Sequence, residues 1–129
     1  MTKKQAAKYQ AAVNRGVRLL DKVKPKWEEK IDLSTLRLSS PYNCILGQLY
    51  GEFNDGSQQL YEDALSVVRN IRKSSYSFLA IDEGGYGFNV LDAGGSYEEF
   101  ISYLTELWTA VIEKRMAAEV QQERDRRNK

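Results

Sequence analysis

The stretch from Ser40 to Phe53 (Ser-Pro-Tyr-Asn-Cys-Ile-Leu-Gly-Gln-Leu-Tyr-Gly-Glu-Phe) most constrains what this chain can fold into. It holds the densest apolar run, the only cysteine and one of the two prolines. At helical spacing Tyr42, Ile45, Leu46, Leu49, Tyr50 and Phe53 share one face. Ser40 suits the N-cap, Pro41 the first turn, and Asn54-Asp55-Gly56 a stop. Gly47 and Gly51, four apart, would leave a flat strip for the close approach of another backbone. The pattern predicts a central packing helix and carries no catalytic signature.

Other segments supply the faces that such a helix needs. Residues 2–23 read as a helix with Ala6, Tyr9, Val13, Val17 and Leu20 in line; its polar first turns are expected to fray or to lie against something else. Lys24-Pro25 ends it, and a short helix anchored by Trp27 follows. Ile31, Leu33, Leu36 and Leu38 space a connector in which Asp32 caps one turn. This single copy with no period is not a leucine-rich repeat. A helix over Ser57–Lys73 points Leu60, Ala64, Val67, Val68 and Ile71 inward, with Arg69, Arg72 and Lys73 at its cation-favouring end. Residues 76–91 alternate enough for a short β-hairpin, or form an aromatic loop packed on the helices. Ser96 and Glu99 spell a capping box ahead of Tyr97, Phe100, Ile101, Leu104, Leu107, Trp108, Val111 and Ile112. Beyond Ile112 only Met116 and Val120 continue that line, so the charged end is an overhanging helix or a frayed tail.

Composition narrows the chemistry. The 129 residues suit one domain, with residues 16–112 as a globular core and 1–15 and 113–129 as charged helical extensions. No run approaches the roughly 18 apolar residues of a membrane span, and the first residues lack a signal core. A lone cysteine forms no internal disulfide, which suits a reducing cytoplasm. The absence of histidine removes Ser-His and Cys-His catalysis, most zinc sites and the commonest general base. Cys44 has no electropositive neighbour and reads as a packing thiol. Asp82-Glu83, Asp55 and Asp92 read as turn formers, with no calcium-loop spacing. Gly84-Gly85-Tyr86-Gly87 lacks the Gly-Lys-Ser/Thr ending of a phosphate loop. Neither an enzyme nor a cofactor or metal site is expected.

Charge is the main functional signal. Net charge is +1, yet residues 1–30 sum to +6, residues 31–112 to −7 and residues 113–129 to +2. Such halves complement each other internally or offer a positive face to an acidic partner. Lys4, Lys8, Arg15, Arg18 and Lys22, with Lys3 nearby, fall broadly on one side of the first helix, and Arg124, Arg126 and Arg127 mark the C-terminal end. Tyr61, Tyr76, Tyr86 and Tyr103 lie off the clearest core lines and suit either protein recognition or packing.

Five segments then occur in a telling order. They are Gly16-Val17-Arg18-Leu19-Leu20-Asp21, Trp27 with Ile31-Asp32-Leu33, Cys44-Ile45-Leu46-Gly47-Gln48-Leu49-Tyr50-Gly51, Tyr86-Gly87-Phe88, and Leu104-Thr105-Glu106-Leu107-Trp108. Together they resemble a group of small uncharacterised proteins of actinobacteria and their phages, over roughly residues 16–112. The Cys-Ile-Leu-Gly-Gln-Leu-Tyr-Gly run is the most specific of them. The resemblance implies no catalytic residue; it implies a small intracellular protein, phage-encoded in some members, of the kind that binds host machinery.

The expectation is a mainly α, compact domain of four to five helices. Its core would hold Val17, Leu20, Trp27, Leu33, Leu36, Cys44, Ile45, Leu49, Phe53, Ala64, Val68, Phe100, Leu104, Trp108 and Val111. The expected function is a non-catalytic protein-interaction factor acting on a host protein or on itself. The alternative is a nucleic-acid-binding accessory protein using the same basic residues.

Overall fold

A computed structural model describes residues 1–67, 85–91 and 96–128. The fold is mainly helical and compact, with four α-helices and no strand among the described residues. They are α1 (Lys3–Val23), α2 (Ile45–Tyr50), α3 (Phe53–Val67) and α4 (Tyr97–Arg127), with a 3₁₀ turn at Trp27–Lys30.

α1 begins in a full capping box: Thr2 accepts from the Gln5 N–H, and the Gln5 side chain accepts from the Thr2 N–H. Tyr9, Ala12 and Val13 are fully buried, so the body starts well before residue 16 and the first turns lie against it. The amino group of Met1 sits 2.7 Å from Glu99. Further along, Tyr9 meets Phe100 at 5.4 Å between ring centroids, and Asp21 meets Arg115. These contacts progress in the same sense on both helices, so α1 and α4 run parallel.

Trp108 is the hub between them. Phe88 stacks on it at 5.2 Å, Trp27 meets it edge-on at 5.6 Å, and its indole N–H donates to the Gly87 carbonyl at 2.7 Å. Gly16 makes room for this group: a Cβ there would strike the Tyr86 carbonyl oxygen and come within 3.1 Å of the Trp108 ring.

The central segment differs from the single helix expected over residues 41–53. Gly51 adopts φ +104°, a left-handed-side conformation open to glycine, and ends α2 after six residues. Glu52 then takes the N–H groups of Asn54 and Asp55 on its carboxylate, so α3 starts at Phe53 instead of Ser57. Asn54-Asp55-Gly56 therefore forms a helix start, not a stop. At the other end Cys44, not Ser40, is the N-cap, its sulfur accepting from the Gly47 N–H at 3.3 Å. Ser40 instead receives the N–H groups of Tyr42 and Asn43 in a turn, which leaves Tyr42 65% exposed. The backbone at Pro41 and Tyr42 does crowd Gly47, whereas nothing approaches Gly51.

The connector forms the capped turn that its sequence predicts, but it buries Ile31 and Leu38 more fully than the Leu33 and Leu36 expected in the core. Asp32 caps a turn through the Ser34 N–H, and the Gln48 amide clamps the backbone of Asp32 and Asn43. Ile31 and Leu38 are buried, while Leu33 and Leu36 are half-buried. Leu49, Phe53 and Val111 are also only half-buried; Tyr9, Leu19, Leu46, Leu60, Phe88, Ile101 and Ile112 complete the core in their place.

Residues 85–91 run as turns and bends, with Phe88 buried and Tyr86 half-buried on the helices. This much is the aromatic loop; residues 76–84 of the hairpin alternative lie outside the described residues, as do Val68, Arg69, Ile71, Arg72, Lys73, Tyr76, Asp82, Glu83 and Asp92. Ser96 caps α4 through the Glu99 N–H, but the Glu99 carboxylate is taken by Met1. The charged C-terminal segment is helical to Arg127, which makes α4 about 46 Å long at 1.5 Å per residue.

Candidate partner-binding face

α1 divides cleanly into two faces. Tyr9, Ala12, Val13, Gly16, Val17, Leu19 and Leu20 are buried. At 100° per residue, Lys4, Lys8, Arg15, Arg18 and Lys22 fall within about 80° of arc on the opposite side, with exposed Ala11 among them. Lys4 and Lys22 are separated by about 27 Å along the axis. All five are exposed, and among the described residues no carboxylate pairs with any of them. Arg15 donates to the Gly85 carbonyl at 2.8 Å, which ties the aromatic loop to the stripe.

Two depressions open beside this line. The larger, about 460 Å³, lies between α1 and α4 and is lined by Asn14, Val17, Arg18, Val111, Lys114, Arg115 and Ala118. The smaller, about 230 Å³, is lined by Lys8, Ala11, Arg15 and Leu91. Neither contains a carboxylate. Each combines an aliphatic floor with cationic edges, a surface suited to an acidic segment that also offers apolar side chains.

Arg115, which lines the larger groove, is fixed by its neighbours. Arg115 makes a two-pronged pair with Asp21 while its guanidinium lies 5.7 Å over the Trp27 ring. The Trp27 indole N–H also donates to Asp21, at 3.0 Å. The Arg115 hydrogen bonds hold the Asp21 carboxyl below its usual range, and Asp21 in turn raises Arg115. Behind them the Glu28 side chain is 8% exposed, 3.7 Å from Arg115. Its Oε2 lacks a hydrogen bond. Glu119 abuts Glu28, and the side-chain hydrogen bond to Glu28, with the like charge of that carboxylate, pushes the Glu119 pKa up. None of these three acids lines the larger groove.

The C-terminal arginines do not join the α1 stripe. Arg124 and Arg127 line a separate shallow groove with Met116, Glu119, Val120 and Glu123. Met116 and Val120 lie roughly 160° around α4 from Ala118, which faces α1. Arg126 is exposed and lines neither groove. The groove residues Asn14, Lys114 and Ala118 were not legible as a site, and Val111 read as core.

Other candidates fall to packing. Cys44 is buried, and burial pushes its thiol above the ordinary value. Tyr61, Tyr86 and Tyr103 are half-buried against the core. Burial raises the Tyr50 hydroxyl pKa, with Asp63 adding to the shift. Among the described residues no group of three or more Cys, Asp and Glu is placed to hold a metal ion, and no described helix is long and apolar enough to cross a membrane. No protein-family model, curated protein or solved structure matches the chain.

Proposed function

We propose that this chain is a non-catalytic interaction protein that docks an acidic segment of a partner protein on the exposed face of α1 and the adjoining α1–α4 groove. One observation carries this: five cations line one face of a well-anchored helix, unneutralised by any described carboxylate, beside a groove floored by Val17, Val111 and Ala118. A solvated basic face needs no such apolar floor, whereas a protein partner uses both charge for encounter and aliphatic burial for retention. The resemblance to actinobacterial and phage proteins supports a host protein as partner and the cytoplasm as the place of action.

The experiment is capture from an actinobacterial lysate with wild type and with the Lys4→Glu/Lys8→Glu/Arg18→Glu variant, each with and without nuclease. A protein retained by wild type after nuclease and lost by the variant supports the proposal. A second reading, contact with nucleic-acid backbone, draws on the 27 Å line of cations; it requires capture that vanishes with nuclease and an affinity falling with salt at a slope near five phosphate contacts.

A further inference from the structure

We propose that the C-terminal half of α4 pairs antiparallel with the same segment of a second copy of this chain. From Val120 to Asn128 every residue is exposed, so α4 leaves the body as a free helix. Its outer flank carries the two largest apolar groups of the segment, Met116 at 37% and Val120 at 51% exposure, one turn apart. They line a shallow groove of about 360 Å³ with Glu119, Glu123, Arg124 and Arg127.

The sequence of this flank is self-complementary in one register. With helices antiparallel and residue numbers summing to about 236, Met116 of each copy lies on Val120 of the other. On the same flank Glu113 and Arg124 are eleven residues apart and separated by about 20° of arc. In this register each Glu113 therefore faces the second copy's Arg124, twice over by the two-fold axis. A parallel pairing would set Glu113 against Glu113 and Arg124 against Arg124, which repels. Glu123 and Arg127, 3.4 Å apart on one helix, neutralise each other along the seam. Two apolar residues per copy bury less than the roughly 1,200 Å² of a standard interface, so the dimer is a weak, concentration-dependent one. The α1 face and its groove lie on the other side of α4 and stay open in it, so this pairing stands apart from the partner docking proposed above.

Sedimentation equilibrium of the full chain from about 10 to 500 µM tests the pairing. The wild-type mass is expected to climb toward two chains. Val120→Asp should hold it at one chain with an unchanged circular-dichroism spectrum, since Val120 is half exposed and outside the core. Glu113→Lys and Arg124→Glu should each weaken association about five- to tenfold, and the two together should restore it, because the swapped charges again face each other. A single-chain mass at every concentration overturns the proposal. So does a double variant no better than the single ones, or a Val120→Asp chain that still associates.

Discussion

Arg115 on α4 grips Asp21 near the end of α1 through both terminal guanidinium nitrogens, Nη1 donating to Oδ1 and Nη2 to Oδ2 at 2.8 Å. The pair closes one end of the α1–α4 contact, and Trp108 holds its middle. Both side chains are about one-third exposed, so solvent screens the charge and the pair is worth about 1 kcal/mol, with a further 0.5–1 from the guanidinium over Trp27. Arg115→Ala should therefore lower stability by about 1–2 kcal/mol in urea titrations. The sign with pH follows from the depressed Asp21 pKa: the contribution is present above the ordinary carboxylate range and lost as pH falls through the lower folded value. The gap between wild type and Arg115→Ala should accordingly narrow in acid; a gap that stays constant to low pH would contradict the pairing.

Glu119 has the opposite sign. Its folded pKa is raised by Glu28, so the folded state holds its proton more tightly than the unfolded chain does. Stability from this group is greatest at low pH and falls as pH rises through the raised folded value. Glu119→Gln should raise the melting temperature near neutrality and flatten its decline with pH. An unchanged or lower melting temperature at pH 7 would contradict the raised Glu119 pKa.

Gly16 is expected to resist replacement despite its place inside a helix. Alanine there would gain about 1 kcal/mol of helix propensity. The new methyl would strike the Tyr86 carbonyl and the Trp108 ring, and overpacking of a filled core costs typically about 1–3 kcal/mol. Because the obstacles are backbone and a ring fixed by its own hydrogen bond, Gly16→Ala should destabilise by about 1–2 kcal/mol in denaturant titration. A stabilised variant would mean that the aromatic loop yields freely.

These long-range contacts mark the limit of what was legible in the sequence. The two long helices were readable because Val13, Val17 and Leu20 on α1, and Phe100, Leu104, Trp108 and Ile112 on α4, repeat over many turns. The break at Gly51 was not, since Leu49, Tyr50 and Phe53 keep helical spacing straight across it and a positive φ leaves no periodic trace. Ser96 caps α4 as expected, but the reciprocal half of its box is absent for a related reason: Met1, far away in the chain, takes the Glu99 carboxylate. The basic stripe was visible because it is a property of one helix. The groove beside it was hidden, because Val17 and Val111 look like core until α4 is laid along α1 and leaves their flanks uncovered.

Cys44 illustrates a cap that composition disguises. Its thiol accepts from Gly47 and points its proton at the Pro41 carbonyl, 3.8 Å away. Cys44→Ser keeps both roles with a stronger capping group and should stay within about 1 kcal/mol of wild type, while Cys44→Ala should lose about 1–2 kcal/mol. The buried thiol with its raised pKa should react with a disulfide reagent only on unfolding. Rapid labelling of the native chain would contradict its burial.

The central claim is that the exposed face of α1 receives an acidic protein partner, and the most direct measurement is the paired capture with and without nuclease. Lys4, Lys8 and Arg18 touch no carboxylate of the described fold, so reversing all three should leave the circular-dichroism spectrum and melting temperature nearly unchanged. One nuclease-resistant protein is expected to be retained by wild type and absent with the triple variant. Equal retention by a folded triple variant, or retention that disappears with nuclease, would contradict it.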